Sequence, residues 1–95
     1  MALNHAFIDA EEIDKGLQEF WHIPMVYFLY DVEGSLIYIG QTQDIYNRLK
    51  AHKQTKEFHV SLLIVCDSYW EAMELEKERI RRYKPFFNLR LYEKF

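Results

Sequence analysis

Residues 25–40 read Met-Val-Tyr-Phe-Leu-Tyr-Asp-Val-Glu-Gly-Ser-Leu-Ile-Tyr-Ile-Gly, two runs of strand-forming residues around a turn-forming centre. Aromatic and β-branched side chains suit a pleated surface, and Asp31, Gly34 and Ser35 supply turn chemistry, so the segment predicts a β-hairpin. If the turn closes as Asp31 to Gly34, Tyr30 pairs with Ser35 and Tyr27 lies directly opposite Tyr38. A register slid by two leaves the two phenols diagonal neighbours on the same face, because side-chain direction alternates with period two. Two tyrosines on one hairpin face are, by themselves, compatible with plain strand packing.

The helices expected after the hairpin make that pair more interesting. Over residues 69–83, Ala72, Met73, Ile80 and Tyr83 recur at helical spacing and define an apolar face, while Glu71, Glu74, Lys77, Glu78, Arg81 and Arg82 take the other side. At about 100° per residue, Glu76 falls in the middle of the apolar arc. A carboxylate there must be paired with a cation, bound to a metal or kept wet. The earlier helix, over residues 43–53, has the same peculiarity. Ile45 and Leu49 mark its apolar side, and Arg48 and His52, four apart, fall on that side too. An inward guanidinium calls for an anion, either Glu76 or a bound phosphate. Two phenols, an arginine, an imidazole and a carboxylate are thus expected to converge from three elements.

These residues carry a family resemblance. Pro24-Met25-Val26-Tyr27, Tyr38-Ile39-Gly40-Gln41-Thr42 and Asn47-Arg48-Leu49-Lys50-Ala51-His52, in that order, resemble the GIY-YIG nuclease superfamily. The closing run Leu75-Glu76, Ile80, Lys84-Pro85 and Asn88 is similar to the family's last two motifs, spaced as in bacterial excision-repair nucleases. The resemblance runs from Pro24 to about Leu91. Two positions depart from the pattern. Met25 stands where the first motif has glycine, and Gln41 stands where the excision-repair branch often has a lysine beside the scissile phosphate.

The resemblance implies a small α/β domain of α+β type, a three-stranded, largely antiparallel sheet flanked by helices. It implies divalent-metal-dependent endonuclease activity on DNA, one strand nicked per active site, with one Mg²⁺ or Mn²⁺ held by Glu76. A hard cation that keeps most of its waters needs few protein oxygens. Arg48 would grip the phosphate, Tyr27 would deprotonate or orient the attacking water, and Tyr38 would position a water or phosphate oxygen. His52 would accept a proton from Tyr27 or act as the base itself. Gly40 and Asn88 would position the site. A second function is an adaptor or nucleic-acid-binding protein that keeps the fold and has lost rate through Met25 and Gln41.

Composition sets the outer limits. The 95 residues suit one domain, and 49% hydrophobic with 17% aromatic residues argue against disorder. Cys66 is the single cysteine, which excludes an internal disulfide and a cysteine metal cluster, and its setting in an apolar run predicts a buried strand thiol. No run is long enough to span a bilayer and no signal peptide is visible, so the expectation is a cytoplasmic protein without membrane contact.

The formal charge of −3 is unevenly spread: residues 1–34 hold one Lys or Arg against seven Asp or Glu, and residues 35–95 hold eleven against eight. Lys50, Lys53, Arg79 and Arg82 are the expected nucleic-acid contacts, within a basic surface that also includes Arg48, Lys56, Lys77, Arg81, Lys84 and Arg90. Affinity for DNA is expected to be weak and salt-sensitive, with a protein partner supplying targeting.

The domain reading places a helical extension at residues 1–22 and the nuclease-like domain at residues 23–95. Asp9 and Glu12 suggest a capping box, followed by the stripe Ile13, Leu17, Phe20 and Trp21. That stripe would support a homodimer or fold back on its own sheet. Strands are expected over residues 25–30, 35–39 and 59–66. Thr42 should cap the first core helix and Asp67 or Ser68 the second, which must stop near Tyr83 because Pro85 follows. Residues 88–95 would form an edge strand or a last turn.

Overall fold

The structure is a computed structural model that describes residues 4–14 and 16–88. Four strands, β1 (Asn4–Asp9), β2 (Trp21–Tyr30), β3 (Leu36–Asp44) and β4 (Val60–Val65), form one sheet in the order β1-β4-β2-β3. Every pairing is antiparallel. Helix α1 (Ile45–Thr55) follows β3, and α2 (Tyr69–Tyr83) follows β4. Residues 25–29 are all buried, which fits a strand flanked by two others and covered on both faces. Met25, Tyr27 and Leu29 pack with Ile45 and Leu49 of α1. Val26 and Phe28, pointing the other way, pack with Ala72 and Ile80 of α2. No helix among the described residues is long and apolar enough to cross a membrane.

The sheet has four strands where three were expected. The extra one lies in the segment expected to be helical: residues 4–9 pair along β4, and only two short 3-10 turns, Ala10–Glu12 and Leu17–Phe20, link β1 to β2. Asp9 precedes the first turn but makes no side-chain cap, and Gly16, at φ 88°, breaks the helical path between Ile13 and Leu17. Ile13 and Leu17 are nonetheless buried in the core beneath α1, whereas Phe20 and Trp21 are 38% and 55% exposed because the chain has already turned into β2. Half of the supposed dimer stripe is therefore used within its own chain.

The hairpin has the slid register. Tyr27 faces Gly40 and Leu29 faces Tyr38, with a break before Tyr30 meets Leu36. The turn is longer than a closed Asp31–Gly34 loop: the Asp31 carboxylate accepts from the Glu33 and Ser35 N–H groups, and its own N–H donates to the Ser35 carbonyl. β3 then runs on to Asp44, so α1 starts at Ile45 and Asp44, not Thr42, accepts from the Asn47 N–H as its cap. Thr42 instead accepts from the Asp44 N–H. Ser68 caps α2, and Lys84 ends it in a left-handed conformation before Pro85. The expectations for Arg90 and for an ordered tail fall on residues 89–95, which lie outside the described residues.

Candidate active site

Tyr27 is only 1% exposed, yet its phenol does not end in hydrocarbon. Its Oη lies 2.7 Å from His52 Nε2, and its ring is 6.0 Å from Tyr38 and 5.4 Å from His52. Tyr38, diagonal to Tyr27 across the hairpin, is half-buried with its ring 4.8 Å from His52. The space for this cluster comes from Gly40. A Cβ at that position would lie 2.4 Å from Tyr27 Oη and 2.5 Å from Cζ, closer than any packing allows, so the phenol lies where a side chain would otherwise stand. The expected convergence of Tyr27, Tyr38 and His52 is present.

Burial is the main reason the Tyr27 phenol is held well above its ordinary pKa; neighbouring Tyr38 and Glu76 add to this, and the Arg48 charge opposes it. His52 is pushed down to about 4 by burial, then by the positive charges of Lys56 and Arg48. The imidazole is therefore neutral at neutral pH. Lys56, which caps the C-terminus of α1, brings its ammonium to 3.1 Å from His52 Nδ1. Lys56 was legible only as one more surface cation; the signal that could have singled it out is its i+4 spacing from His52.

Arg48 departs from expectation. It is exposed, on the rim of the α1 apolar stripe made by Ile45, Leu49 and His52. A flexible, strongly charged side chain one residue off the buried stripe reaches water at little cost, so no internal anion is needed. Its positive charge still acts on both Tyr27 and His52.

Glu76 approaches from the opposite side of the sheet. It is half-buried, its carboxyl raised by burial and lowered again by the Gln41 backbone N–H and by Lys77. No ion pair to Glu76 is present among the described residues; the salt bridges of α2 join Glu78 to Arg79 and to Arg82. Among the described residues, then, no salt bridge accounts for a carboxylate in the apolar arc. β3 is an edge strand among the described residues, and side chains reach its outward-facing groups. Asn88, 4% exposed, accepts from the Ile39 N–H at 2.7 Å and donates to the Ile39 carbonyl at 2.8 Å. Two residues on, the Gln41 N–H reaches Glu76. Gln41 thus contributes through its backbone, whatever its side chain lacks. The edge next to Gly40 is held between Asn88 and Glu76.

No cluster of three or more His, Cys, Asp or Glu able to hold a metal occurs among the described residues. A metal at Glu76 would, with the described residues, be bound through a carboxylate and waters, which suits Mg²⁺ or Mn²⁺. The donor chemistry fits: a hard, partly desolvated oxygen ligand with no ion pair among the described residues. Of the expected phosphate contacts, Lys53 is exposed, while Arg79 and Arg82 are engaged with Glu78. Lys50 donates to Tyr46 Oη at 3.2 Å, and that hydroxyl donates to Asp14, which ties α1 to the linker between β1 and β2.

The edge strand β3 thus lies between a tyrosine–histidine cluster and a half-buried carboxylate. Residues 23–90 match the GIY-YIG catalytic domain. The chain belongs to that family. It is 29% identical over 93 residues to UvrABC system protein C of Synechocystis sp., covering 85% of this chain and 15% of the relative. It is 32% identical over 92 residues to the same protein of Oenococcus oeni, covering 86% and 15%. The chain therefore spans only about 15% of the length of these curated relatives. Among solved structures it resembles the GIY-YIG N-terminal endonuclease domain of UvrC from Thermotoga maritima, bound to its catalytic divalent cation, magnesium. The TM-score is 0.65 at 28% identity, over 81% of this chain and 96% of that one.

Proposed function

We propose that this chain is a divalent-metal-dependent endonuclease that hydrolyses phosphodiester bonds in DNA, cutting one strand per active site. The observation that carries this reading is Glu76, a half-buried carboxylate without an ion pair among the described residues, placed across the β3 edge from the Tyr27–His52–Tyr38 cluster. Glu76 would hold one Mg²⁺ or Mn²⁺ through an oxygen and ordered waters. Such an ion, when bound, supplies Lewis-acid stabilisation of the charge that develops on the phosphate and the leaving 3′ oxygen.

The chain's own residues supply the rest. Arg48, exposed and without an ion pair among the described residues, is free to take a phosphate by two parallel hydrogen bonds that strengthen as charge builds. Tyr27 Oη accepts a hydrogen bond from the attacking water and orients it, while Tyr38 holds a water or a phosphate oxygen beside it. Asn88 and Gly40 hold β3 so that these groups meet. Lys53 and the other cations around α1 and α2 meet the backbone, and a protein partner supplies targeting. Supercoiled plasmid, incubated with Mg²⁺ or Mn²⁺ and with chelator, tests the reading. Metal-dependent nicking that Glu76→Gln abolishes supports it; the same nicking by wild type and Glu76→Gln overturns the role of Glu76.

A further inference from the structure

We infer that Lys56 is a positioning residue that fixes the tautomer of His52, so that the imidazole donates a hydrogen bond to Tyr27 instead of taking its proton. The geometry is a chain of three groups: Lys56 Nζ lies 3.1 Å from His52 Nδ1, and His52 Nε2 lies 2.7 Å from Tyr27 Oη. An ammonium is donor only, so a hydrogen bond from Lys56 needs a lone pair on Nδ1. A neutral imidazole has one N–H and one lone pair, which leaves the proton on Nε2, facing the phenol oxygen. The Tyr27 oxygen is then an acceptor toward His52. Its own hydrogen points elsewhere, and its remaining lone pair is available to the attacking water.

Burial lowers the Lys56 ammonium from its ordinary pKa, and three surroundings oppose that loss of charge. It sits 4.9 Å from the centre of the Tyr38 ring and 5.5 Å from that of Phe87, two faces that favour a cation. It also lies at the C-terminus of α1, where its backbone N–H donates to the His52 carbonyl and the helix dipole favours positive charge. The groups that face the imidazole are Tyr27 from β2, Tyr38 from β3, and Arg48 and Lys56 from α1. No carboxylate among these groups competes for Nδ1. The inference rests on the reading of Tyr27 as the group that handles the water, yet its test does not depend on turnover.

Two-bond proton–nitrogen correlation on ¹⁵N-labelled protein, without metal or DNA and near neutral pH, reads the His52 tautomer directly. Wild type is expected to carry its proton on Nε2. Lys56→Arg, also a donor only, keeps that tautomer; Lys56→Met loses the preference, and Lys56→Glu, an acceptor, moves the proton to Nδ1. Thermal melts monitored by circular dichroism identify any variant that fails to fold, and the remaining members of the series still decide the question. In single-turnover cleavage, Met and Glu are expected to lose on the order of 100-fold, as when a catalytic imidazole is held in the wrong tautomer or loses its orienting partner, and Arg to recover most of it. A wild-type proton on Nδ1, or a tautomer unmoved across Met and Glu, overturns the inference. A tautomer that moves with no change in rate overturns the positioning role. If the tautomer follows the series while no form cuts DNA under any metal, the nuclease reading fails and the Lys56–His52 coupling stands.

Discussion

The two sides of β3 are built to opposite plans. On the α1 side, Tyr27, Tyr38, His52 and Lys56 form a continuous polar cluster that runs from the core to its rim. On the α2 side, Glu76 stands half-buried with a single backbone N–H and no ion pair among the described residues. Fully connected polar groups in a dry site are rigid and fix proton positions. An under-satisfied carboxylate is held ready for a ligand, because partial burial raises the value of a cation without providing one. On the proposed reading, proton handling is preorganised on one side of the strand and charge stabilisation is left for a ligand on the other.

The sharpest way to break that division is at Glu76. Glu76→Ala is expected to abolish cleavage, a loss on the order of 10³-fold or more for several kcal/mol of transition-state stabilisation. Melting should show a fold intact or slightly more stable, since the removed carboxylate has no ion pair among the described residues. Severe destabilisation would mean that Glu76 is structural and that the two sides do not differ as described. Arg48 comes next. Arg48→Lys keeps the charge but loses the planar fork, and is expected to slow single-turnover cleavage on the order of 100-fold while weakening DNA binding only a few-fold. Weakened binding with unchanged chemistry would reduce Arg48 to part of the basic surface.

Gly40 sharpens the comparison from the strand between the two sides. Gly40→Ala puts a methyl onto the Tyr27 phenol. The expected cost is about 1–3 kcal/mol of stability, measured by denaturant unfolding, with a roughly tenfold loss of cleavage as Oη is displaced from His52. Retained stability and rate would show that the Tyr27 ring can shift without consequence, and that the cluster is less rigid than its contacts indicate.

Much of this site was legible because it depends on side-chain periodicity. The period of two placed Tyr27 and Tyr38 on one face, and the period of 3.6 placed His52 inside α1 and Glu76 inside the α2 arc. What depended on backbone pairing was not legible. The bulge before Tyr30 slid the hairpin, which set Gly40, not Tyr38, opposite Tyr27. Periodicity also misled at the N-terminus, where residues 4–9 lack their reason for being a strand until β4 offers an edge. Ile13 and Leu17 point to the core through a turn that a helical wheel mimics. Arg48 was misread because one residue of offset separates a buried stripe from its rim. The Asn88 bond to Ile39 spans 49 residues and has no local signature.

The smallest expected effect is thermodynamic and belongs to the α1 side. His52 is held down to about 4 in the folded protein, against an ordinary value near about 6.5 in the unfolded chain. Folding thus favours the neutral imidazole. The sign follows from proton binding: between these two values the unfolded state binds more protons, so stability rises with pH across that window. The contribution is full above about pH 6.5 and is lost progressively as pH falls toward 4, by at most about 3 kcal/mol and less where water screens the ring. Glu76 works in the opposite direction, since its raised carboxyl binds protons more readily folded than unfolded. Acidification should therefore weaken the α1 side while relieving the α2 side. Chemical denaturation from pH 7 to pH 4 on wild type, His52→Phe and Glu76→Gln separates the two. The expected result is a shallower pH dependence for His52→Phe and a steeper acid loss for Glu76→Gln. Equal slopes in all three would show that neither side of β3 carries the charge asymmetry its contacts imply.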